Sequence, residues 1–396
     1  SLVTAPDATV LDAVTRARLT LSNPPTVIEA ERGTDGSFRL ELDVLADGPA
    51  GRLTFEGFDA SGARIALGRS AALPVAAIDA DVAIYVAAPD TLAAAPVALD
   101  PPRAEVGTAA YPFGVLIAGG RDATGAARDE VAIYNVYTHA WQRGVDLPAP
   151  RVAPIIGASS SGFAYILGGD DTSGAPTGTL WRYDTTVAPA GAVATLAEQP
   201  TLARTGAPIA LVRSEAFLVG GVPPLVIDGA TRTLTAATAL LPLDGAATSV
   251  VVPDGALFAL FVGEGSGQSG VVRIGDDGAL DEAGAPASAR RRGHAVVPTA
   301  DGRVIAIGGE VGGVPIASAL VLSPASRLYV EQADVLTTPR TGAAIAASGG
   351  VLVVAGGRDA AGELVPTAEI FDLATLTLRA TVPMVLPRVG ATARPL

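Results

Sequence analysis

The residues that could carry chemistry are few. His139 and His294 are the only imidazoles in 396 residues, and the chain has no cysteine. Thiol nucleophiles, cysteine-ligated metals and cysteine-modified radical cofactors are therefore excluded. A site with two histidine ligands would have to join positions 155 residues apart. His139 sits in an expected turn and His294 at an expected strand opening, so both have structural places. No G-x-S-x-G elbow occurs, and Gly263-Glu264-Gly265 follows a strand-like run with no helical pattern behind it. What remains is arginine and carboxylate chemistry. Arg121, Asp122, Asp170, Asp171, Glu264, Glu310, Arg358 and Asp359 stand in loops after glycines, while Arg151, Arg204, Arg290, Arg340 and Arg388 each follow Pro or Ala. Such groups could grip an acidic sugar or peptide through planar guanidinium forks. They could equally staple repeated elements together. Recurrence in five units favours stapling, because a ligand site is asymmetric. Asp170-Asp171-Thr172-Ser173-Gly174 and Asp276-Asp277-Gly278 are acidic turns whose default reading is solvation, so no cofactor is expected; calcium is the lesser alternative, and neither turn matches an EF-hand loop.

The elements positioning these groups repeat. Apolar runs end in double glycines at Gly120, Gly169, Gly221, Gly309 and Gly357, with Gly263 as a degenerate sixth member; the steps are 49, 52, 42, 46 and 48 residues. After each comes a polar loop, then a short strand closing on Tyr134-Asn135, Tyr183-Asp184, Ile227-Asp228, Ile274-Gly275, Leu322-Ser323 or Phe371-Asp372. Seven residues past that anchor stands Trp141, Leu234, Tyr329 or Leu378, expected to fill the space between sheets. A Pro-Arg or Ala-Arg turn then opens the next unit. Six units of four short strands read as six small antiparallel sheets. One such sheet buries too little to stand alone, so the sheets must stack and lose polar alternation, as in Val351-Leu352-Val353-Val354-Ala355. Radial stacking leaves only short edges.

This pattern resembles the kelch family of propellers over residues 105–396. Tyr134-Asn135-Val136-Tyr137-Thr138-His139-Ala140-Trp141 is similar to the middle of its repeat, and Arg292-Gly293-His294-Ala295 to its opening. The resemblance implies a six-bladed propeller, and the family includes both binding scaffolds and enzymes. It also implies ring closure by a strand from the other terminus. Val389–Ala393 is the expected innermost strand of the blade carrying Gly119-Gly120, with Val106–Ala110 as its competitor.

Residues 1–99 lack the repeat. Strand-like segments at 17–21, 26–31, 37–45, 51–58, 64–68 and 81–86, separated by turn signals, predict a small β-sandwich similar to immunoglobulin-like or transthyretin-like domains. Residues 100–111 then link it to a propeller over 112–396, giving an all-β chain: a six-bladed kelch-type propeller preceded by a sandwich.

All 27 basic residues are arginine against 40 acids, for a net charge of −13. That balance argues against nucleic acid and anionic lipid. No apolar run approaches the ~18 residues of a helical membrane span. The absence of cysteine fits an exported protein. The chain opens Ser1-Leu2-Val3, so a signal or lipid anchor is expected outside this sequence, if present. The expected location is extracellular, periplasmic or at a bacterial outer surface. The expected role is non-catalytic binding of a protein or glycan, with head-to-tail self-assembly and strand addition by Ser1–Val10 as variants. The alternative is a mutarotase- or lyase-like enzyme for acidic sugars that uses the rim arginines and carboxylates.

Overall fold

A computed structural model describes residues 1–41, 50–73, 82–111, 113–159, 161–237, 246–251, 257–262, 270–274, 280–284, 291–324, 326 and 328–393. The chain divides into two compact units. The first is Ser1–Asp100 together with Tyr134–Gln142; the second holds Pro101–Ile133 and the chain from Arg143 onward.

The first unit contains β1 (Leu2–Val3), β2 (Arg16–Ser22), β3 (Pro25–Glu31), β4 (Leu53–Phe58), β5 (Arg64–Arg69) and β6 (Ile84–Ala87). They form one sheet in the order β1-β6-β5-β4-β2-β3. Alternation sorts its two faces. Ala17, Phe55, Ala66, Ile84 and Val86 are buried with Val14, and Phe38 and Leu40 pack against them. The other face carries a charge ladder in which Glu29 pairs with Arg16 and Arg18, and Glu56 with Arg18 and Arg64. Exposed pairs of this kind are screened by solvent and add little, so the buried face holds the sheet. Among the described residues there is one sheet where a two-layer sandwich was expected. Five of the six expected segments are strands. The sixth, 37–45, has no strand pairing at 37–41, and 42–49 lie outside the described residues. Leu2–Val3 pairs in parallel with β6 of the same sheet. Tyr137, Trp141 and His139 belong to this unit. Tyr137 Oη donates to Ala72 O at 2.7 Å, Trp141 Nε1 donates to Val97 O at 3.0 Å, and the His139 ring lies 6.0 Å from that of Tyr85.

Among the described residues the remaining strands form six four-stranded sheets, each taking its strands in chain order, and one two-stranded hairpin, Glu310–Val311 with Val314–Pro315. Blade 1 is Gly107–Tyr111, Gly114–Ala118, Val131–Asn135 and Ala140–Arg143; blade 2 is Ile155–Ala158, Phe163–Leu167, Thr179–Asp184 and Ala192–Glu198. Blade 3 is Ile209–Arg213, Ala216–Val219, Leu225–Asp228 and Thr233–Ala236; blade 4 is Ala246–Val251, Leu257–Val262, Gly270–Ile274 and Leu280–Gly284. Blade 5 is Ala295–Pro298, Val304–Ile307, Ala319–Ser323 and Leu328–Gln332; blade 6 is Ala344–Ser348, Val351–Ala355, Thr367–Asp372 and Leu378–Pro383. First strands of successive blades lie against one another from blade 1 through blade 6, which places them innermost. This is a six-bladed β-propeller.

Blade 2 shows why polar alternation disappears. Ile156, Ala164, Ile166, Trp181 and Tyr183 pack with Leu116, Ala118, Val131 and Ile133 of blade 1. The alternate residues Ile155, Tyr165, Leu167 and Leu180 pack with Phe217, Val219, Leu225 and Ile227 of blade 3. Both faces are core, and each large side chain buried this way stabilises by about 1.5–3 kcal/mol. Ile305, Ile307 and Val321 of blade 5 meet Leu352, Val354 and Phe371 of blade 6 in the same manner. Of the residues seven past the anchors, Leu234 packs half-buried against the core between blades 2 and 3, as expected, whereas Leu378 is exposed on its outermost strand. Leu147, Leu202 and Leu336, on the connectors between blades, are also buried.

Ring closure also differs from expectation. The strand paired with Gly114–Ala118 is Gly107–Tyr111, and 389–393 form no strand. The short connection between Tyr111 and Gly114 closes at little entropic cost, whereas the alternative would join termini nearly 300 residues apart. The C-terminal segment still reaches blade 1, where Thr392 Oγ1 lies 3.4 Å from Thr108 Oγ1.

Candidate functional site

The rim residues proposed from sequence stand on one recurring arrangement: a double glycine wedged between two arginine turns. The second glycine donates its N–H to the arginine carbonyl of the next turn, at 2.8 Å each for Gly120 to Arg151, Gly169 to Arg204, Gly309 to Arg340 and Gly357 to Arg388. Both glycines of these pairs have positive φ. A Cβ on Gly309 would lie 2.6 Å from Arg292 O, and one on Gly357 2.7 Å from Thr341 O, on their own blades' turns. A Cβ on Gly308 would lie 2.9 Å from Arg340 O on the following turn. Only glycine fits between backbones this close.

The arginine side chains turn inward. Arg340 donates through Nη1 to Gly356 O (3.3 Å) and Thr367 O (3.0 Å), and its Nη2 pairs with Glu369; both side chains are 0% exposed. Glu369 Oε2 accepts the Thr337 N–H at 2.9 Å. Burial pushes the Arg340 guanidinium below its ordinary value, and Glu369 opposes that shift. Arg151 donates to Pro150 O at 2.7 Å and to Thr179 Oγ1 at 3.2 Å, with its guanidinium 4.5 Å over the Trp181 ring. Arg204 donates to Gly220 O and Pro223 O. Two arginines missed in the sequence act alike. Arg103 reaches Gly119 O at 3.0 Å and Glu130 O at 2.6 Å, and Arg291 reaches Gly308 O at 3.3 Å and Ser318 O at 3.2 Å. Arg290, the sequence candidate in that unit, lies outside the described residues, as does Glu264. Placing Arg291 would have required aligning it on the glycine two residues later, as at Arg340-Thr341-Gly342. Arg151, Arg204 and Arg340 thus follow the stapling alternative: their donors are engaged within the protein by main-chain carbonyls, the Thr179 hydroxyl and Glu369.

The loop carboxylates close turns. Asp122 Oδ1 accepts the N–H of Thr124 (2.8 Å) and Ala126 (3.0 Å), Asp171 those of Ser173 and Ala175, and Asp359 those of Ala361 and Glu363. These bonds, led by the Thr124 and Ser173 hydroxyls, hold Asp122 and Asp171 below the usual carboxylate range. Asp170 accepts the Thr205 hydroxyl, and Glu310 bridges Arg292 through backbone on both sides. Arg121 pairs with Glu105 at 2.8 Å, and Arg358 donates to Gly362 O at 2.7 Å. Arg388 differs from the other turn arginines. Its carbonyl is engaged by Gly357, yet its side chain is exposed and makes no hydrogen bond among the described residues.

The two histidines stay apart. His139 lies in the first unit with its Nδ1 2.9 Å from Tyr134 Oη, and His294 is buried at the opening of blade 5. Among the described residues no group of three or more His, Asp or Glu could hold a metal ion. The acidic turn at 276–278 lies outside them. Among the described residues no helix is long and apolar enough to cross a membrane.

No curated protein matches the chain. A family model described as Kelch motif matches residues 339–377, which run from the Pro339-Arg340 turn through the third strand of blade 6. That motif, set within a six-bladed arrangement in which the bond from glycine pair to arginine turn occurs four times among the described residues, supports a kelch-repeat β-propeller.

Proposed function

We propose that the protein is a non-catalytic binding protein whose propeller engages a protein or glycan. One observation carries this reading: several of the recurring arginines and carboxylates that could support sugar chemistry are engaged in holding blades and loops together. Arg151, Arg204 and Arg340 are bonded inward, and Asp122, Asp171 and Asp359 are bonded to their own turns. Kelch propellers are commonly used for protein binding, which fits a protein partner. Specificity then comes from what does not repeat, such as the hairpin Glu310–Val311/Val314–Pro315 and the exposed Val222.

Export or display at a cell surface is part of the same proposal, supported by a 396-residue chain without cysteine. Self-assembly is its variant. The deciding experiment pairs two assays on the purified chain: a glycan array with a cross-linking search for protein partners, and proton NMR of sialic-acid-like sugars with the protein at micromolar concentration. Binding without turnover is the expected result. Anomer exchange or elimination that depends on the protein would establish the acidic-sugar enzyme instead.

A further inference from the structure

The first unit runs out at Asp100 through a string of small aliphatic residues, Ala93-Ala94-Ala95-Pro96-Val97-Ala98, that takes no part in the propeller. From Thr91 to Pro102 the chain belongs to no strand. Among the described residues its N–H and C=O groups make no hydrogen bond to other main chain. Two side chains of the same unit hold it by its carbonyls: Tyr85 Oη donates to Ala94 O at 2.6 Å, and Trp141 Nε1 to Val97 O at 3.0 Å. Ala93, Ala95, Val97 and Ala98 are exposed, Val97 by 49%. Surface backbone without ladder bonds is where proteases nick folded chains.

The order of residues selects one kind of protease. Extended peptides are captured edge to edge, through their main-chain N–H and C=O groups, with alternate side chains entering pockets. Pro96 fixes its own φ and confines Ala95 to extended backbone, so Ala95-Pro96-Val97 holds that shape before it is captured. The N–H groups of Ala95 and Val97 donate to no main-chain oxygen among the described residues. The Val97 side chain is short, branched and exposed. It suits the small specificity pocket of an elastase-type enzyme, and neither the acidic pocket that takes arginine nor the deep slot that takes aromatic rings. One bond stands in the way. Val97 O is the oxygen that such an enzyme must draw into its oxyanion hole, and Trp141 holds it.

We propose that the Val97–Ala98 bond is a processing site for a serine protease of elastase type, opened when Val97 O leaves the Trp141 indole. The protease serine attacks the Val97 carbonyl carbon, the bond to the Ala98 nitrogen breaks, and the departing amine takes the proton. Water then hydrolyses the acyl-enzyme ester and leaves Val97 with a free carboxylate. The cut divides residues 1–97 from the rest of the chain, close to the boundary between the two units.

The test digests the purified full chain with pancreatic elastase below its melting temperature and follows the products by intact mass and N-terminal sequencing. Expected is a fragment beginning Ala98-Leu99-Asp100 that appears while the circular dichroism of the sheets is unchanged. V97D, whose carboxylate the small pocket rejects, should yield it at least tenfold more slowly. W141F, which lacks the indole donor, should yield it at least threefold faster. Each variant is compared with wild type at the same margin below its own melting temperature, so that a change in overall stability is not read as a change at the bond. Absence of a fragment beginning at Ala98 from the folded chain, or an unchanged rate in V97D, would overturn the site. A rate in W141F equal to or below that of wild type would overturn the role given to Trp141.

Discussion

Arg340 and Glu369 set the sharpest residue-scale expectation. Both are fully buried, and Glu369 also takes the Thr337 N–H. Removing one partner strands the other's charge, which costs about 3–5 kcal/mol, whereas replacing both with apolar groups of similar volume is far less damaging. R340M is therefore expected to lower the urea midpoint strongly, and R340M/E369M to recover most of the loss apart from the Thr337 bond. An R340M variant as stable as wild type would show that the guanidinium staples nothing. His139 gives a second expectation. Burial pushes its imidazole below the ordinary value of about 6.5. A base with a lowered folded value binds its proton more readily when unfolded, so the stability it contributes is complete above about pH 6.5 and declines as pH falls through the folded value. Amides of 134–142 are expected to exchange faster at pH 5.5 than at 7.5, beyond the intrinsic pH effect. His139→Asn, which keeps a residue tolerant of its positive φ, should flatten that difference.

At the scale of the element, the unit of construction is the glycine pair with its two flanking turns. Gly357→Ala sets a Cβ 2.7 Å from Thr341 O at φ +93°, while Gly362→Ala in the loop beyond meets nothing within 4 Å at φ +80°. Both carry the positive-φ penalty of about 1–3 kcal/mol, so the difference in melting temperature between them isolates the close approach. Gly357→Ala is expected to melt well below Gly362→Ala; equal melting would mean that the turns can move apart. The glycine pairs, the six strand quartets and the Kelch-like spacing were legible because backbone geometry forces residue type at those positions. The roles of the arginines were only half legible. Their recurrence suggested stapling, but the spacing does not say whether a guanidinium meets a carbonyl, as that of Arg340 does, or solvent, as that of Arg388 does. Glu369 left no signal, since one acid within an apolar strand resembles any solvent-facing residue until its partner is placed. The first-unit sheet was readable strand by strand, yet nothing local says whether six strands make one sheet or two.

For the molecule as a whole, the choice of inner strand in blade 1 was undecidable from composition, because 106–110 and 389–393 are both small and apolar. The structure takes the local strand, and this makes a prediction about truncation. Ending the chain at Pro387 removes the bonds from Gly357 to Arg388 O and from Gly390 to Gly342 O, each worth about 0.5–1.5 kcal/mol. The shortened protein is expected to stay folded by circular dichroism with a modestly lower urea midpoint. Global unfolding would mean that the C-terminal segment is itself an indispensable strand of the ring.

Because every sheet draws its four strands from consecutive sequence, each is a self-contained cassette of coding DNA. Duplication or loss of one cassette would change the number of modules without forcing distant parts of the gene to change together. A ring clasped by its two ends would instead couple those ends.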